Sequence, residues 1–325
     1  MNLRCCWRLG LLLAVAVAAL SGRAPAAAVK PGDVAVVFAE TADFGMRDQP
    51  MTPLSLGTAL QVTEVRGSWV GGAREVDGRR QLGWIHRRAV QRVAGSDGSA
   101  GSAQQLAALV GQLLRAQVRV QLDGNGHVHA LDAAGSKIVD SDLAVCEQFH
   151  HLVAADVSDT SVGDEGVTRM ARAATLERVY LENTAVTGAS LQPLANLKCL
   201  EVLVLAGTQI RGDDLARLAA VSTLRTLNLA RCGLRDEDLR YLESLTNMEV
   251  LVVSDNAIAG AGLARLKPLQ RLRVLNLSNT QITDPDFAHL EGAPSLRMLY
   301  IRGTQISADA QSKLDQTLTS CSMYQ

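Results

Sequence analysis

The 325-residue chain is short of aromatic side chains, with Phe, Trp and Tyr together at 3%. A protein that stacks sugars or bases on ring faces invests more in rings than this. An excess of one charge is also missing: 32 Lys and Arg stand against 33 Asp and Glu, for a net charge of −1. That balance excludes a strongly basic nucleic-acid binder and an acidic solvating tail. Only 8 prolines occur and 47% of residues are hydrophobic, which excludes a disordered or collagen-like chain. The six cysteines form no CxxC pair and fit no small disulfide scaffold. Gly-rich phosphate loops, HExxH and GxSxG are all absent, and no acid/base pair stands out, so no catalytic set is expected and the chain is read as a non-enzyme.

What is present begins with an address. Residues 1–28 carry Arg4 and Arg8, then an apolar core from Leu9 to Leu20, then Ala-x-Ala at Ala24–Ala26 and again at Ala26–Ala28. This is the layout of a secretory signal peptide cleaved after Ala26 or Ala28. Twelve apolar residues rise about 18 Å as a helix, short of the ~30 Å hydrocarbon core. No later apolar run reaches membrane-spanning length. The expectation is an exported chain, in the periplasm or at the cell surface, with no membrane span once cleaved.

From Val29 to Val93 short alternating runs are broken by Gly and turn residues, and Val76-Asp77-Gly78-Arg79 is a hairpin signal. Five or six short strands in this length predict a small all-β barrel. The runs Gly57–Val70, with Trp69-Val70, and Gly83–Val90, with Gly83-Trp84-Ile85, resemble the bacterial SH3-like domain. That resemblance implies an envelope-associated module that binds peptide or wall glycan, with Trp69 and Trp84 lining its groove. The other reading of both tryptophans is core filling of a small barrel. Residues 94–105 read as a Gly/Ser linker that would let the two domains engage separately.

The rest of the chain repeats every 24 residues from position 128. Leu200, Leu224, Met248, Leu272 and Leu296 open successive units; Leu203, Leu227, Leu251, Leu275 and Leu299 follow three later; Thr208, Cys232, Asn256, Thr280 and Thr304 fill a small polar position. The Leu-x-x-Leu-x-Leu spacing predicts a short strand, and Asp140, Asp164, Asp236 and Asp284 fall where a helix N-cap belongs, with Gly there in three other units. One unit buries too little to fold alone, so stability must come from stacking. The pattern resembles the leucine-rich repeat, in a form with Thr-x-Ile-x-Asp common in bacterial exported proteins. It implies an α/β solenoid over 128–325, eight units with the last one capping, and a parallel sheet with helices on the convex side. Residues 106–127 read as its N-terminal helix and hairpin cap.

If the strands stack at ~4.8 Å they line a concave face about 34 Å long. The outward positions are Arg178, Tyr180, Val202, Val204, Thr226, Asn228, Val250, Val252, Val274, Asn276, Met298 and Tyr300. One reading is a protein- or peptide-binding surface with tyrosine anchors; the other is that β-branched residues simply suit strands. Val252→Glu should then spare the fold and Leu251→Glu should not. The runner-up function is a cell-wall glycan binder with the solenoid as spacer. No cofactor or metal is expected: His127 and His129 share a strand face and His150-His151 close that unit, and all are read as surface or capping residues. Cys146 and Cys232 replace repeat residues and read as buried thiols; Cys199 and Cys321 are the others outside the signal peptide.

Overall fold

The computed structural model describes residues 28–39, 41–44, 52–76, 79–94, 100–290, 293–317 and 321–324. The signal-peptide core and the Ala26 cleavage point lie outside them. Two compact units emerge: residues 1–132 with 148–154, and residues 133–147 with 155–325.

In the first unit, β1 (Val34–Val37), β2 (Thr41–Phe44), β3 (Thr52–Ser55), β4 (Ala59–Arg66), β5 (Trp69–Val76), β6 (Arg79–His86) and β7 (Val90–Val93) are all short. Five form an antiparallel sheet in the order β6-β5-β4-β1-β7, and β2 pairs with β3 as a separate hairpin. Alternation sets the inner face: Leu60 and Val62 are buried while Gln61 and Thr63 between and after them are exposed. These two join Val29, Ala35, Val37, Leu54, Val70, Ile85 and Val90 in one core. β5 and β6 pair antiparallel from Trp69 opposite His86 to Val76 opposite Arg79.

Helix α1 (Ala100–Arg115) follows, then β8 (Arg119–Leu122) and β9 (Val128–Asp132), which form an antiparallel hairpin. Because α1 begins at Ala100, the second half of the expected 94–105 linker is helical. The helix also packs on β1, β4 and β7 and belongs to the same compact unit as the β segment. Two glycines meet where they pack: a β-carbon on Gly57 or on Gly111 would overlap the other's backbone. Gly57 also holds a φ of +77°, where a side chain is strained. Arg115 Nη1 donates to the Gly57 carbonyl at 3.2 Å, and Ala94 N–H donates to the Gly126 carbonyl at 2.9 Å.

After β10 (Ala154–Asp156), the second unit's β11 (Arg178–Tyr180), β12 (Val202–Val204), β13 (Thr226–Asn228), β14 (Val250–Val252), β15 (Val274–Asn276) and β16 (Met298–Tyr300) pair in sequence order, all parallel, each shifted from the last by the repeat length. Arg178 lies opposite Val202, and Val202 opposite Thr226. The middle residue of each strand, Val179 through Leu299, is fully buried. The sheet runs one strand further than eight units require: β17 (Ser322–Tyr324) continues the same register beside β16, and Tyr324 stacks on Tyr300 at 4.8 Å. The return segments are short. Several are 3₁₀ turns, such as Gly212–Leu218, Asp236–Leu242 and Asp284–His289, because a 24-residue unit leaves room for little more.

Two positions in each turn explain the composition of the repeat. The first is left-handed: Asp159, Asn183, Arg231, Asp255 and Asn279 have φ between +52° and +57°, and Gly135, Gly207 and Gly303 take the same place. Gly, Asn and Asp tolerate this region best, so Arg231 is the costly exception. The next residue is the small polar one. Thr184, Thr208 and Thr280 donate Oγ1 to the carbonyl three residues back at 2.5 to 2.7 Å, and Cys232 Sγ donates to Leu205 O at 3.2 Å.

The aspartates of the Thr-x-Ile-x-Asp segment act across the junction between units. Asp140 accepts from Gly163 N–H, Asp164 from Thr187 N–H, Asp236 from Ala259 N–H and Asp284 from Ser307 N–H, at 2.7 to 2.9 Å. They therefore cap the next unit's turn instead of their own, which corrects the N-cap expectation. Where glycine replaces the aspartate, at Gly188, Gly212 and Gly260, the carboxylate comes from the next unit: a β-carbon there would overlap Asp214, Asp238 or Asp286. These three aspartates accept from the N–H of Arg211, Arg235 and Thr283 in their own units. The partner position of each Asp-first junction is small, namely Gly166, Ser190, Gly262 and Ala310. Each junction thus holds one carboxylate, supplied from one side or the other, and never two.

Candidate functional site

The sheet face away from the helices carries the residues expected to bind a partner, with less surface than expected. Parallel strands ~4.8 Å apart place each side chain between two copies of itself, and the fourth repeat position is enclosed. Tyr180, Val204, Asn228, Val252, Val274 and Asn276 are buried, and Val252 packs with Ala206 and Ala230. The accessible residues are the half-buried Arg178, Val202, Thr226, Val250, Met298 and Tyr300. The alternation was read correctly as two faces, but the second face is not simply open. Val252, 9% exposed, is consequently not a position where glutamate is tolerated, and Val250 takes its place as the probe residue.

A rim of charge borders this face. Arg225 lies 2.7 Å from Glu249 and 3.7 Å from Glu201, and Arg273 lies 3.8 Å from Glu249. These exposed pairs stabilise little but leave the rim largely self-neutralised. At the other border, Arg231 Nη2 reaches Glu182 at 2.8 Å. Burial raises the pKa of Glu182, with the Arg231 charge acting against it. Inside the face, Tyr180 Oη and Asn276 Nδ2 are buried without a hydrogen-bond partner among the described residues. Burial also raises the Tyr180 pKa.

In the first unit the two tryptophans are on the outer side of the sheet, opposite buried Val70 and Ile85, so the core-filling reading fails. Trp69 is 44% exposed and meets His86 edge-on at 5.5 Å. Trp84 pairs across from Gly71, and a β-carbon on that glycine would come within 3.3 Å of the Trp84 ring, so the ring covers the strand where a side chain is missing. Arg66 lies over the Trp84 ring at 5.2 Å. Trp69, Trp84, His86 and Arg66 make one aromatic and cationic patch.

A third cluster joins two of the histidines read as surface or capping residues to a carboxylate the sequence did not single out. The β8–β9 turn brings Asp123 and His127 together, and the 148–154 segment adds His151. His127 and His151 stack with centroids 4.0 Å apart, and Asp123 Oδ2 lies 3.2 Å from His127 Nδ1. His129 and His150 are not part of the group. The cysteines stay bland: Cys146, Cys199 and Cys232 carry free thiols, and burial pushes Cys146 up to about 12.

Among known families, residues 222–242 match the Leucine Rich repeat. No curated protein matches the chain. Among solved structures, internalin C2 from Listeria monocytogenes is 21% identical with a TM-score of 0.43, covering 57% of this chain and 84% of that one. The plant peptide hormone receptor RGFR1 in complex with RGF2 is 18% identical with a TM-score of 0.40, covering 57% of this chain and 33% of the receptor. Among the described residues no helix is long and apolar enough to cross a membrane.

Proposed function

We propose that the chain is an exported, non-enzymatic binding scaffold of the leucine-rich repeat kind, whose sheet face holds a protein partner. The observation that carries this reading is the row Val202, Thr226 and Val250: half-buried, small and mostly apolar, bordered by a rim whose charges already pair with one another. Such a face offers contact area and little competing charge, which suits a protein surface better than a small ion or a nucleic acid. Tyr300 and Arg178 at its two ends are residue types enriched as interface anchors. Replacing Val250 or Val202 by glutamate should abolish capture of a specific protein from an envelope extract without changing the unfolding midpoint. Unchanged capture by both variants would remove the sheet face from the account.

A second reading is favoured by the outer patch of the first unit. Exposed Trp69, half-buried Trp84 and the Arg66 cation over its ring form the kind of surface a peptide or wall-glycan ligand would use, and the SH3-like resemblance implies an envelope-associated module. Here the sheet would act as spacer. If Trp69→Ala with Trp84→Ala abolished sedimentation with cell-wall material while Val250→Glu left all binding intact, this reading would replace the first.

A further inference from the structure

The β8–β9 turn is built to hold a carboxylate still. Asp123 Oδ1 accepts from Asn125 N–H at 2.8 Å and His127 N–H at 2.9 Å, and Asp123 N–H donates back to the His127 carbonyl at 2.8 Å. Gly126, at φ +91°, lies against the backbone of Arg92 and Ala94, and Arg92 Nη1 donates to the Asn125 carbonyl at 3.3 Å. The turn is therefore pinned within the first unit. Burial raises the Asp123 pKa, but the hydrogen bonds from His127 and Asn125 outweigh it and leave the carboxyl below its ordinary value. Only Oδ2 is left over, and it faces His127 Nδ1.

His151 is held by its neighbours. Phe149 and Leu152 are buried, Leu152 N–H donates to the Phe149 carbonyl, and Val153 N–H donates to the His129 carbonyl at 2.9 Å. One carboxylate oxygen and one nitrogen from each ring all lie within 4.8 Å of one another. Two ligand atoms at about 2.0–2.1 Å from a tetrahedral zinc ion sit about 3.3 Å apart, close to the 3.2 Å separation of Asp123 Oδ2 and His127 Nδ1. The rings stack nearly parallel, at 16°, so pointing a nitrogen of each at one ion requires rotation about the soft terminal side-chain torsion.

We propose that Asp123, His127 and His151 form a binding site for a divalent transition-metal ion of the zinc class, with the remaining position open to water. Two imidazoles and one carboxylate favour zinc, nickel, cobalt or copper, whereas calcium and magnesium prefer all-oxygen sets. His151 is exposed, so the ion has a route in. Coordination replaces the Asp123–His127 hydrogen bond, and the His127 proton moves from Nδ1 to Nε2.

The test is titration of the purified full chain with Zn²⁺ by calorimetry and with Co²⁺ by visible absorption. One ion per chain is expected, with affinity lowered at least about tenfold in His151→Ala and in Asp123→Asn, and unchanged in His150→Ala and His129→Ala. His151 is exposed and its removal should leave the unfolding midpoint of the metal-free chain in place, so loss of binding there does not report misfolding. Zinc uptake equal in wild type and His151→Ala would overturn the proposal. So would a thiolate charge-transfer band with Co²⁺, which would assign the ion to cysteine.

Discussion

The two units close their cores by different means. In the first, individual backbone approaches join the parts, Gly57 against Gly111 where α1 meets the β segment and Gly126 against Arg92 and Ala94 at the β8–β9 turn. In the second, the strand register recurs every 24 residues, and the junction is made again and again by one carboxylate and one small residue. Damage to a unique contact should loosen one region as a whole. Damage to a repeated contact should stay near its junction, because each repeat depends mainly on its neighbours.

The largest effect should come from charge in the repeat core. Leu251, fully buried in β14, replaced by Glu should cost more than about 4 kcal/mol, whereas Glu at the adjacent, half-buried Val250 should cost less than about 1 kcal/mol. Urea unfolding of the two variants measures the difference directly, and equal losses would break the assignment of faces. Next, Gly111→Val should cost about 2–4 kcal/mol, because the new side chain must displace the Gly57 backbone. Amide exchange should then rise across residues 34–115 and leave 200–300 protected.

The junction rule has a sharper test. Gly188→Asp places two carboxylates in one junction with Asp214 and should cost about 2–3 kcal/mol. Adding Asp214→Gly moves the carboxylate to the other side and should recover most of that loss. A double variant no more stable than the single one would show that the alternation of Asp and Gly is incidental.

The smallest effect concerns acid. Burial raises the Asp164 pKa, but the hydrogen bonds from Ser190 and Thr187 prevail and hold the carboxyl below its ordinary 3.8. A carboxyl with a depressed folded pKa contributes stability above the unfolded pKa and loses it as pH falls through the folded value. Asp164→Asn should therefore lower stability at neutral pH and flatten its decline below about pH 4. A decline as steep as wild type would mean that Asp164 does not contribute.

Much of the second unit was legible because its period fixes which residues pair: the offset from Val202 to Thr226 in the chain is the offset in the sheet. Less legible was what the pairing does to the outer face. Alternation places Val252 away from the core, yet it does not say that Ala206 and Ala230 will enclose it. The junction rule was visible in outline, since Asp and Gly share one position, but its meaning lies 26 residues away, beyond one repeat. In the first unit, the tryptophans could not be assigned to core or surface until Gly71 was seen opposite Trp84. The histidines of the Asp123, His127 and His151 cluster were visible as a group, but Asp123, and the choice of His151 over His129, were not, because His151 reaches the turn across a stretch of chain that belongs to the other unit.

The claim that the sheet face holds a protein partner is tested most directly by a photo-crosslinking residue at position 250, with position 267 on the helical side as control. Crosslinking in the native envelope should yield one dominant protein adduct from 250 and none from 267. Adducts of equal yield from both positions, or none above background from 250, would contradict it.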